Sequence, residues 1–165
     1  HLADDAVDSD EIAAGAIDAA HLASGVVGDN TPSFRVTNSG TISYTANTWQ
    51  TLVFDTKTWD TDTAYSTSTG KFTVPSGEAG KYVFHYDATI QVQSGDQWTI
   101  DIVKNSGASL TGIRYASFTM STDTGMLAVS TIADLDAGDT VYTREYLNRD
   151  GGTGGRFGGF KLIGV

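Results

Sequence analysis

A chain of 165 residues with a net charge of −10 and a pI of about 4.4 excludes functions that need clustered Lys and Arg, nucleic-acid binding first among them. It has no cysteine, which excludes disulfides and Cys-based metal sites, and no apolar run reaches the ~18 residues that cross a membrane. Its 19 glycines, frequent Thr and Ser and only 2 prolines describe an all-β chain of short strands joined by turns.

Residues 2–27 carry a decapeptide repeat. Apolar residues recur at Leu2, Ile12 and Leu22, at Ala6, Ala16 and Val26, and at Val7, Ile17 and Val27. A fixed period signals a repeat architecture. One copy offers too few apolar side chains to bury them alone, whereas three chains wound together can. Ile12, Ile17 and Val27 are therefore expected at a trimeric contact, and a flexible acidic linker is the competing reading. The segment resembles the IAAGAIDAAHLA repeats of bacteriophage tail fibres and related particle-surface proteins. The chain opens at His1 without a methionine and is expected to continue a longer protein, with other fibre or virion proteins as partners on its N-terminal side.

Gly28–Ser33 is a run of turn formers and reads as a hinge. The expected organisation is a stalk at 1–27, a hinge at 28–33 and a head at 34–165. Expected strands in the head are 34–38, 42–54 with an interruption, 63–66, 71–74, 81–93, 97–104, 111–120, 125–133, 139–147 and 157–164. Trp59 falls in a polar loop before the third of these. There it fills a subunit contact or, with less weight, stacks on a sugar. Trp49 is a further candidate for sugar stacking, and Trp98 alternates with Ile100 and Ile102 as a core residue should.

From Lys81 to Ile90, Tyr82, Phe84, Tyr86, Ala88 and Ile90 alternate with Lys81, Val83, His85, Asp87 and Thr89. Period two puts them on one face of a long strand, and stacked aromatics suit a sandwich core. His85 sits among them and is expected to be packed rather than reactive.

Phe54, Asp60, Tyr65, Phe72, Gly80, Tyr82, Phe84 and Tyr86 also stand in an order that resembles the signature of C1q-like domains. The turn between Phe72 and Gly80 is two residues longer than is usual there. The closing Phe157-Gly-Gly-Phe160 run is similar to the last strand of that family. The resemblance implies a C1q/TNF-like jelly-roll sandwich that assembles as a homotrimer and binds rather than catalyses. Tyr82, Phe84, Tyr86 and Phe160 are its expected core or trimer residues.

In a jelly roll the first and last strands are antiparallel neighbours. Phe34 then enters where Val165 leaves, at a base, and alternation of strand direction assigns the connections. Ser94–Asp96, Ser121–Gly125 and Asn148–Arg156 are expected at the opposite end, the apex. The Gly-rich 148–156 connection reads as a loop that approaches a ligand. Arg149, Asp150, Thr153, Arg156, Asp123 and Asp96 are the candidate receptor-binding residues, and a plain hairpin loop is the alternative. Some C1q-like trimers hold Ca2+ near the apex. Asp96, Asp123 and Asp150 would be its ligands, although no D-x-D-x-D-G run is present and a solvated acidic loop is the simpler reading.

No clustered histidines, no cysteine and no serine-nucleophile motif leave catalysis without support. The expectation is the distal part of a phage or phage-like fibre: a virion-borne, extracellular adhesin for a host-surface glycan or protein, polysaccharide first. The competing readings are a trimerisation or capping module of such a fibre, an extracellular ligand-binding protein, and a glycan-degrading enzyme.

Overall fold

Alternating burial builds two sheets. The computed structural model describes residues 30–105, 107–117 and 123–162. The expected stalk, with Ile12, Ile17 and Val27, lies outside the described residues, as does 118–122. The strands are β1 (Ser33–Thr37), β2 (Ile42–Tyr44), β3 (Gln50–Thr51), β4 (Thr56–Asp60), β5 (Tyr65–Ser66) and β6 (Lys71–Thr73), then β7 (Gly80–Val92), β8 (Gln97–Lys104), β9 (Ala108–Ser117), β10 (Asp123–Leu135), β11 (Thr140–Leu147) and β12 (Gly151–Lys161). One sheet runs β10-β7-β12-β1-β4, with β2 beside β12. The other runs β5-β6-β11-β8-β9, with β3 beside β11. This is the all-β antiparallel sandwich the sequence implies.

The expected alternation along β7 holds. Tyr82, Phe84, Tyr86, Ala88 and Ile90 are buried, and Trp98, Ile100 and Ile102 of β8 face them from the other sheet. Phe34 joins the two sheets. Its ring stacks on Phe72 at 4.8 Å and on Tyr65 at 5.5 Å, and it meets Phe157 edge-on at 5.0 Å. Such pairs add about 0.5–1.5 kcal/mol each beyond the area they bury. Asp60 has a local task. Its carboxylate accepts the backbone N–H of Ala64 at 2.9 Å and of Tyr65 at 3.2 Å, closing the turn that delivers Tyr65 to the core.

Four expectations need correction. Trp59 lies in a strand, β4, which pairs with β1 and holds the indole on the outer face. His85 is exposed rather than packed, because the residues that alternate with Tyr82, Phe84 and Tyr86 face out. The last strand starts at Gly151, so residues 151–156 are paired backbone and not loop. Two glycines of this strand are required by close approach. A Cβ at Gly155 would lie 2.3 Å from the Asp87 carbonyl oxygen, and one at Gly159 would lie 2.6 Å from the Phe84 ring. Phe160 is not in the core. Phe157 faces in, and an odd separation of three puts Phe160 outside.

β1 and β12 are antiparallel neighbours, with Ser33 opposite Phe160, so the head is entered and left at one end. Polar groups close that end. Lys161 pairs with Glu78 at 2.9 Å and Lys104 with Asp139 at 2.7 Å. Hydrogen bonds from Lys104 and then Asn105 hold the Asp139 carboxyl down at about 2.

Phe84→Ala is expected to lower unfolding free energy by about 3–5 kcal/mol, the usual cost of emptying a buried Phe site. Urea unfolding followed by tryptophan fluorescence measures it, and a loss below about 1 kcal/mol would contradict this packing.

Candidate functional site

The end opposite the chain's entry is organised by one ion pair. β7 turns into β8 at Gln93–Asp96, and β11 turns into β12 at Asn148–Asp150. Asp96 is only 4% exposed. The Arg149 Nε donates to both its oxygens, at 2.8 and 3.0 Å, and the Gln93 N–H reaches Oδ2 at 2.7 Å. Arg149 also donates to the carbonyls of Asp150 and Gln91, and Asn148 donates to the Gly95 carbonyl at 3.1 Å. The two turns are locked to each other, as the alternation of strand direction anticipates.

A third connection joins them, and it was hidden within the long 42–54 expectation. The Ala46 N–H donates to Asp150 at 2.8 Å, the Asn47 N–H to the Leu147 carbonyl at 2.8 Å, and the Tyr146 hydroxyl to Asn47 at 3.0 Å. Asn47 has φ 58°, a conformation Asn tolerates well. The run Thr-Ala-Asn-Thr was the available signal. This loop carries Trp49, 45% exposed, with the Arg144 guanidinium 4.4 Å from its ring centroid and Tyr146 at 5.8 Å. Arg144 is itself held by the buried Asp101 at 2.8 Å.

The sequence-based candidates separate. Arg149, Asp150 and Asp96 come together at this end. Asp123 opens β10 opposite Val92, also at this end; its side chain lies outside the described residues. Thr153 and Arg156 do not join them. Thr153 is 1% exposed and faces the core. Arg156 lies mid-strand on the outer face and holds Asp87 at 3.1 Å. Both follow from 151–156 being a strand.

Within one chain, Asp96 of the three candidate calcium donors is already engaged. Both Asp96 oxygens receive the Arg149 guanidinium, so a cation there would have to displace it. Among the described residues no three His, Asp or Glu converge.

Beneath this end lies Glu145, buried between the sheets. Tyr86 donates a short hydrogen bond to Oε1, Thr153 donates to it at 3.3 Å, and the Trp98 indole donates to Oε2 at 3.2 Å. Burial pushes the carboxyl up to about 7, while the three donors from Tyr86, Trp98 and Thr153 pull it back. A carboxyl raised on folding stabilises the fold fully below its unfolded value, near 4.5, and loses that contribution as pH rises through about 7. Glu145→Gln is expected to remove a pH-dependent loss on the order of 3 kcal/mol between pH 4.5 and 8. Urea titrations of both proteins across that range test this. Parallel wild-type and variant profiles would contradict it.

A C1q domain model matches residues 33–162. Among solved structures, the globular domain of zebrafish complement 1qA protein aligns with a TM-score of 0.65 at 20% identity, covering 80% of this chain and 98% of that one. At that identity the likeness concerns fold. No curated protein matches the chain.

Proposed function

The chain belongs to the C1q domain family, and from that premise we propose that it is the distal, trimeric binding part of a phage or phage-like particle fibre, attaching to a host-surface polysaccharide. C1q domains are typically extracellular, ligand-binding and trimeric modules without enzymatic activity. The decapeptide repeat at 2–27 motivates the fibre setting and the virion location. The observation that carries the binding reading is the joined trio of connections at 45–49, 93–96 and 148–150, opposite the end where the chain enters the head. A stalked head presents that end to its target.

The half-exposed Trp49 gives this rim an aromatic surface of the kind that packs against a sugar ring, and the Arg144–Asp101 pair fixes its orientation. Three copies on one head multiply a weak contact through effective concentration.

Trp49→Ala in the 165-residue chain is expected to lower adsorption to host cells at least about tenfold, with assembly mass unchanged. Flow cytometry of the labelled protein measures this. Unchanged adsorption would move the contact off this rim. Absence of adsorption by the wild type would favour a capping module.

A further inference from the structure

Along β11, Tyr142, Arg144 and Tyr146 alternate with the inward-facing Val141, Thr143 and Glu145, so they share the outer face of the β5-β6-β11-β8-β9 sheet. Strand register puts Lys71 of β6 beside Tyr142 and Thr51 of β3 beside Arg144. Cations and rings then meet in pairs. The Lys71 Nζ lies 4.9 Å from the Tyr142 ring centroid, and the Arg144 guanidinium lies 4.4 Å from that of Trp49, which in turn meets Tyr146 at 5.8 Å. The stripe descends from the rim at Trp49 along about 13 Å of β11, towards the end where the chain enters the head.

The chain carries a net charge of −10, yet this stripe is positive on its outside. The carboxylate in it, Asp101, is 2% exposed and fully engaged. One oxygen accepts the Ser109 hydroxyl at 2.6 Å, and the other accepts the Arg144 Nε and Nη2 at 3.1 and 2.8 Å. That buried anchor fixes the guanidinium and leaves Nη1, with two N–H donors, without an acceptor among the described residues. The Lys71 ammonium likewise has no acidic partner among the described residues, whereas Lys104, Arg149 and Arg156 each hold one.

The geometry points to an acidic polysaccharide as the occupant of this stripe: a sugar ring packs on the open part of Trp49, its carboxylate takes the Nη1 donors of Arg144, and a further acidic unit reaches Lys71. This inference rests on the polysaccharide reading above and names the class of sugar. Rings and cations alternate along β11 as rings and carboxylates alternate along a uronic-acid polymer. A guanidinium held rigid before the ligand arrives binds a carboxylate with little ordering cost. The Tyr146 hydroxyl donates to Asn47 at 3.0 Å and keeps lone pairs for a sugar hydroxyl. A neutral glycan on the same stripe would cover Lys71 and Arg144 without pairing them, and so would be selected against.

Polysaccharide prepared from host cells, compared with the same polymer after its carboxylates are reduced to alcohols, tests this. In isothermal titration calorimetry the 165-residue chain should bind the native polymer at least about tenfold more tightly than the reduced one. Lys71→Gln should narrow that gap at least about threefold. Arg144→Lys keeps a charge over Asp101 but gives up the planar fork, so it too should lose part of the preference. Circular dichroism checks that both variants fold. Equal affinity of the wild type for the two polymers overturns the acidic-sugar inference and leaves the polysaccharide reading intact. No binding to either removes both. A full preference retained in both variants puts the reader of the carboxylate elsewhere and overturns this site. Binding of the reduced polymer that still weakens in Lys71→Gln assigns the anion to a phosphate or sulfate ester and overturns the carboxylate.

Discussion

The stacking of Phe34 between the sheets is the contact on which the rest of the structure depends. Its ring belongs to β1 yet packs on Phe72 and Tyr65 of the opposite sheet and on Phe157 of its own. Because β1 is the entry strand and β12 the exit strand, that one cluster also places both ends of the head together. Everything proposed about the far end follows from this placement. The interior is close to solid aromatic at its centre, and the space for it comes from β12. Phe84 occupies the volume that a side chain at Gly159 would need, so the glycines of the last strand are the counterpart of the aromatics on β7.

The same glycines shape the outside. With no side chain at Gly158, the outer face of the sheet is grooved where it would otherwise be flush. Inner packing and the outer groove thus share one strand. The polar groups are divided in a complementary way. Asp96, Asp101 and Glu145 are buried and satisfied, and each ties two strands or two turns together. Removing one partner from such a group costs more than the bond itself is worth, because the other is left buried and unpaired. They act as fasteners for the far end, and the chemistry available to a target there comes from exposed neighbours such as Trp49.

The sandwich was legible from the sequence because its strongest signal, the period-two aromatics of β7, is local and long. The antiparallel pairing of first and last strands and the meeting of 94–96 with 148–150 were legible too, since direction alternates whatever the side chains do. The start of β12 was not. Gly-Gly-Thr-Gly-Gly has one side chain and so no alternation to read, and the neighbours that crowd its glycines, Thr41 at Gly152 and Asp87 at Gly155, are distant in the chain. Of the two places open to Phe160, core or trimer contact, a parity count from Phe157 removes the core. The fate of Arg149 was equally invisible, because a loop arginine reads as free until the buried Asp96 is placed beside it.

In the proposed role, the end distant from the chain's entry is the one that meets a target. Hydrogen–deuterium exchange of the 165-residue chain, with and without polysaccharide prepared from host cells, tests this most directly. Exchange at 45–49, 93–96 and 148–150 should slow on adding polysaccharide. Slowed exchange confined to the turns at 74–79 and 136–139, beside the entry strand, would contradict it.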